Sequence, residues 1–169
     1  MRRGQAILVD TNIIIEAVRT NCWGALTAHF SIETVETCCE EARSGERHRP
    51  GYVVVEEKAL REGLKVHRIA ESDLVALGLR DPESKRLDPG ERHLWAHALA
   101  RGDAWAACCC DNAAVRSAVR LGWEDRLMSL EELVRAAGAI AALGKLKDQF
   151  GTDRLSLWRT QAILARGLG

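Results

Sequence analysis

The stretch AILVDTNIII, residues 6–15, sets one aspartate between two apolar runs and follows it with Thr11 and Asn12. Residues 6–9 are an apolar run the size of a buried strand, and IIIEAVR opens like a helix. Asp10 at such a junction has two readings. It caps the helix, since Asp and Asn accept hydrogen bonds from the unpaired amides of a first turn. Alternatively it belongs to a cluster of acids that holds a metal ion. The same pattern returns in AWAACCCDNAAVRSAVRLG, where 104–110 reads as a buried strand, Asp111-Asn112 opens a helix and Gly122 closes it. In an open parallel sheet the carboxyl ends of the strands form the ligand crevice. If these two strands are neighbours, Asp10 and Asp111 face one crevice.

The rest of the chain supports such a sheet. AHFSI (28–32) has the character of a second strand, and Thr34 then caps a helix ending near Gly45. SGERHRPG is a polar loop. Val53–Val55 and Val66–Ile69 have strand character, Ser72 starts a short helix, and LRDPESKRLDPGE is a second loop. ERHLWAHALARG carries Leu94, Trp95, Ala98 and Leu99 at helical spacing and stops at Gly102. RLM is a last short strand, and Ser129 caps LEELVRAAG. Strands alternating with helices predict an α/β fold with a central parallel sheet and helices on both faces. Residues 1–138 read as one domain. Residues 139–169 read as a C-terminal helical extension, with Leu155, Trp158, Ile163 and Leu164 spaced for an apolar face. Such a face packs on the domain, on a second subunit as in a homodimer, or on another protein.

Composition narrows the function classes. Hydrophobic residues are 47% and charged residues 28% of the chain, and Lys+Arg balances Asp+Glu at 24 each. Affinity for nucleic acid must therefore come from local basic patches rather than the whole protein's field. The candidates are Arg47-His48-Arg49, Lys85-Arg86, Arg116 and Arg120, with Arg116 best placed, one and a half turns beyond Asp111. No run approaches the ~18 apolar residues of a membrane span, and MRRGQAILVD is too short in apolar residues for a signal peptide, so the expected address is cytoplasmic. The six cysteines include adjacent ones and show no CxxC or zinc spacing; they read as small buried apolar residues, with a redox or metal role as the alternative. GxSxG, GxxxxGK[ST] and HExxH are all absent. His29, His48, His67, His93 and His97 read as surface or satisfied core residues, although His93 and His97 share a helical face.

Further acids join the strand-end pair. Glu91 begins the helix after Pro89-Gly90, and Glu36 lies in the first turns of the helix after the second strand, with Glu33, Glu40 and Glu41 as rivals. Four converging carboxylates require cations, and oxygen-only ligation suits Mg²⁺ or Mn²⁺.

The order ILVDTN, an acidic helix, LDPGERHLWAHALARG and AACCCDNAAVRSAVRLG resembles the PIN-domain nucleases, a family that includes the toxin ribonucleases of VapC-type toxin–antitoxin pairs. The resemblance spans residues 5–135. It implies a three-layer α/β/α sandwich and a divalent-metal-dependent endoribonuclease that hydrolyses RNA phosphodiesters with a metal-activated water. By the same resemblance, Asp10 matches the first metal-site aspartate and Thr11 and Asn12 the polar residues that brace it. Glu36 takes the place of the helix glutamate, with Glu40 next; Glu91 matches the third acid and Asp111 the fourth. Asp125 is an additional acid, read either at the rim of the site or as a plain loop carboxylate. The family usually has Thr or Ser shortly before its last aspartate, where this chain has Cys109-Cys110. An antitoxin protein is a partner that the resemblance implies for the apolar tail. Two alternatives stand beside the ribonuclease: a catalytically silent PIN-like module that binds protein or nucleic acid, and a phosphatase-like α/β hydrolase. The hydrolase wants a second Asp two residues after the first, and position 12 is Asn.

Overall fold

The computed structural model describes residues 2–44 and 63–167. The strand character at 53–55 and the basic Arg47-His48-Arg49 patch lie outside the described residues. Among those described, five strands form one parallel sheet in the order β3-β2-β1-β4-β5: β1 Ala6–Val9, β2 Ser31–Val35, β3 Leu64–His67, β4 Trp105–Cys108 and β5 Leu127–Met128. β1 lies at the centre, with Leu8 opposite Glu33 of β2 and Val9 opposite Cys108 of β4.

Alternation along β1 sorts the core into two halves. Ile7 and Val9 pack with α1 (Thr11–Arg19), α2 (Trp23–His29) and α7 (Leu130–Ala136), whose contributions include Ile13, Leu26 and Leu133. Leu8 points the other way, toward Leu77 of α4 (Glu71–Arg80), Trp95 of α5 (Pro89–Ala100) and Val115 of α6 (Asn112–Arg120). Successive strand residues face opposite sides, so apolar residues at every position of β1 require helices on both faces. α3 (Glu36–Ser44) feeds both halves, Cys39 to one and Cys38 to the other.

Several local expectations are corrected. Residues 23–29 are helical, so the second strand begins at Ser31 rather than 28 and runs to Val35. Thr34 is therefore no cap: it is fully buried in β2 and its hydroxyl donates to the Val9 carbonyl across the sheet. β4 ends at Cys108, and α4 starts at Glu71 with the Ala70 amide donating to Asp73 Oδ2. The second loop contains a 3-10 turn over Pro82–Arg86. Ser129 does cap α7, its Oγ accepting from the Glu132 amide while Glu132 Oε2 accepts from the Ser129 amide.

The segment after Gly138 packs on its own chain. Ala142 and Phe150 join the first core half, and Leu155 of α8 (Thr152–Gly167) joins the second. α8 is tied down by Arg166 to Glu124 and by Arg159 to the Leu127 carbonyl. Leu157 and Leu164 on α8 are exposed. Among the described residues no helix is long and apolar enough to cross a membrane.

Candidate metal centre

β1 and β4 are hydrogen-bonded neighbours, so the acids that follow them leave the sheet at the same edge. The two carboxylate oxygens of Asp10 have different surroundings. Its Oδ1 caps α1 by accepting from the Ile13 amide at 2.8 Å. Its Oδ2 is buried and accepts no hydrogen bond of normal geometry, although the Cys110 and Asn12 amides favour the charged carboxyl. An orphaned carboxylate oxygen is costly to bury unless a cation or proton meets it. Asp111 caps α6 in the same way, Oδ1 accepting from Ala113 at 2.6 Å and Ala114 at 3.2 Å.

Glu91 enters from the first turn of α5, where Pro89 is tolerated because its missing amide would be unpaired anyway. The three acids sense one another. Burial pushes the Asp10 carboxyl up to about 7; the Asp111 charge adds to this, while the amides of Ile13, Cys110 and Asn12 pull it back. Burial likewise pushes Glu91 up to about 8, with Asp111, Asp10 and Asp88 each raising it further. Asp10 is 2% exposed and Glu91 8%, so neither charge is relieved by solvent. Without a cation Asp10 and Glu91 favour their protonated forms.

The glutamates of α3 have different surroundings. Glu36 is the first residue of α3, and its side chain, 44% exposed, pairs with Arg68 at 2.8 Å. Glu40 is exposed on nearly the same helical face and lines a surface cavity with Glu36, Thr37, Arg68 and His93. Glu41 lies about 140° round the helix from Glu36 and turns toward the starts of α1 and α5. Thr11 Oγ1 donates to its Oε2 at 2.6 Å, and the Gly90 amide donates to its Oε1 at 3.0 Å. Thr11 follows Asp10 and Gly90 precedes Glu91, so the two residues that hold Glu41 are chain neighbours of the buried acids. Gly90 is needed here: a Cβ would lie 2.5 Å from Glu41 Oε2 and 3.0 Å from Cys38 Sγ. Glu41 is thus tied to the residues that neighbour Asp10 and Glu91, while Glu36 and Glu40 lie toward the surface; among the described residues no three of these acids bring ligand atoms within 4.8 Å of one another.

The supporting residues also differ in detail. Thr11 positions Glu41 rather than Asp10, while the Asn12 side chain is exposed and its backbone amide is what touches Asp10. Asp125 is exposed in the 3-10 turn that leads into β5. In a parallel sheet the start of a strand lies at the edge opposite the crevice, so Asp125 is remote from the acids. Arg116 is exposed on α6. Arg120 is committed elsewhere, both its Nε and Nη2 donating to buried Asp81, which also accepts from Ser117.

Nucleophilic thiol chemistry has no support. All six cysteines are buried thiols. Burial pushes the Cys108 and Cys109 thiols well up, and the acid charges add to the effect. Three of the tryptophans pack edge to face, Trp95 and Trp105 each against Trp123.

An oxygen-only set with an orphaned, buried carboxylate atom fits a hard divalent cation such as Mg²⁺ or Mn²⁺, which carboxylates bind while waters complete the shell. No family model matches the chain, and no curated protein matches it either.

Proposed function

We propose that the chain is a PIN-like, divalent-metal-dependent endoribonuclease whose centre is Asp10, Glu41, Glu91 and Asp111. The observation that carries this reading is the burial of Asp10 and Glu91 beside Asp111, with Asp10 Oδ2 unpartnered. A Mg²⁺ or Mn²⁺ ion bound there supplies Lewis acidity toward a phosphodiester and its attacking water, and neutralises charge on the leaving oxygen.

The protein's own part is orientation. Asp10 and Asp111 are fixed by the helix amides that their Oδ1 atoms accept. Glu41 is fixed by Thr11 and Gly90. Glu91, pushed up to about 8 by burial and the neighbouring acids, holds a proton at neutral pH and would give it up beside a cation, which favours the carboxylate. Arg116 on α6 offers a positive charge for substrate phosphate.

The test is incubation of the full chain with single-stranded RNA in Mg²⁺, in Mn²⁺ and in EDTA. Internal cleavage with either metal, absent in EDTA and in Asp10→Asn, is the expected result. RNA left intact by protein that binds Mn²⁺ at the four acids would replace the enzyme with the silent binding module.

A further inference from the structure

Away from the acid crevice, Glu33 of β2, His67 of β3 and His97 of α5 bring one carboxylate oxygen and two imidazole nitrogens within 4.8 Å of one another. Glu33 lies inside the sheet, one residue before Thr34, and is 4% exposed. His67 Nε2 is 2.9 Å from Glu33 Oε2, and the two imidazoles stack with centroids 4.0 Å apart. A cationic group already occupies the point where these atoms converge. Arg101 Nη1 donates to Glu33 Oε2 at 2.5 Å and lies 3.3 Å from His97 Nε2. The rest of its guanidinium is gripped by the exposed Asp103, through Nε at 2.8 Å and Nη2 at 2.5 Å. Arg101 thus has a second carboxylate to hold it when it leaves Glu33.

We propose that Glu33, His67 and His97 form a transition-metal site of the zinc class, closed in the metal-free chain by the Arg101 guanidinium. Two imidazoles and one carboxylate are a ligand set that zinc accepts, with a position left for water, whereas Mg²⁺ prefers oxygen alone. Burial, with His67 and Arg101 nearby, pushes His97 down to about 4, which leaves its ring neutral and its lone pair available at neutral pH. Burial opposes ionisation of Glu33, but Arg101, His67 and Lys65 outweigh it and hold the carboxyl below its usual range. A bound ion ties β3 to β2 and α5. The site shares no residue with the acid centre, so either assignment can fail without the other.

The experiment titrates the full chain with Zn²⁺, read by thermal unfolding, and with Co²⁺, read by visible absorption. Wild-type protein is expected to gain thermal stability with Zn²⁺ and to show Co²⁺ d–d bands free of thiolate charge transfer. Both signals disappear in His67→Gln and in His97→Gln, and Asp10→Asn retains both. Arg101→Gln removes the competing cation and binds Zn²⁺ at least tenfold tighter, which a purely structural ion-pair network does not predict. Circular dichroism identifies any variant that fails to fold, and the other histidine variant then decides. Absence of the Co²⁺ bands from both wild type and Arg101→Gln, or their persistence in a folded histidine variant, would overturn the proposal.

Discussion

The Gly90 amide donates to Glu41 Oε1 at 3.0 Å, which pins a glutamate of α3 against the first turn of α5, one residue from Glu91. Two helices distant in sequence are thereby locked at the crevice. Gly90→Ala places a methyl where Glu41 Oε2 and Cys38 Sγ now sit. The flexible glutamate yields first, so the fold survives with a stability loss of about 1–3 kcal/mol. Metal-dependent cleavage falls at least tenfold. Unchanged activity in Gly90→Ala would show that the Glu41 position is immaterial.

Within α3 the three glutamates separate by face. Glu41→Gln is expected to lower metal affinity and RNA cleavage by about 10²-fold, the scale on which a positioned group in a metal site acts. Glu36→Gln removes only a surface ion pair to Arg68, worth less than ~1 kcal/mol, and leaves activity within about twofold. Glu40→Gln does the same. Parallel cleavage assays on the three variants check this; a dead Glu36→Gln variant reverses the assignment.

Stripped of metal, the protein is expected to lose stability as pH rises. Folded Asp10 and Glu91 stand at about 7 and about 8, against 3.8 and 4.5 when unperturbed. Between those values the folded chain binds more protons than the unfolded one, so the unfolding free energy falls with increasing pH. His97, pushed down from 6.5 to about 4, acts in the opposite sense below pH 6.5. The interval from 6.5 to about 8 therefore isolates the two carboxyls. In EDTA, Tm should drop across that interval, and drop less in Asp10→Asn, which at pH 8 gains about 1–3 kcal/mol by burying an amide in place of a charge. A flat wild-type profile contradicts the burial of these acids.

The tail is expected to be part of the fold. Leu155 is 3% exposed, and Leu155→Ala should cost about 2–4 kcal/mol in denaturant unfolding. Leu164 is 62% exposed, and its replacement by Ala should stay within about 0.5 kcal/mol. Equal effects would mean that α8 does not pack as described.

What was legible in the sequence was local. The buried runs of β1 and β4, each closed by an aspartate, and the helix between Pro89 and Gly102 are patterns within one element. So is the Ser129-to-Glu132 cap. The second strand was misplaced because a threonine followed by acids reads as a helix start. Only the tertiary context, with Val9 of the neighbouring strand accepting from Thr34, keeps that segment extended. The family resemblance points to Glu36 by its spacing, and spacing alone does not separate the glutamates of α3, whose faces emerge only when the helix packs on α1 and α5. The Glu33, His67 and His97 grouping was illegible for a related reason: its members are 30 or more residues apart and meet only through the β2–β3 pairing and the packing of α5 on β2.

The most direct measurement is Mn²⁺ binding to the full chain by calorimetric titration, repeated on Asp10→Asn and Asp111→Asn. Both carboxylates cap helices, and asparagine caps equally well, so the variants should fold. Binding by wild type that is lost in both variants, and retained in Glu36→Gln, is the expected result. Mn²⁺ bound by Asp10→Asn as tightly as by wild type would contradict the metal centre.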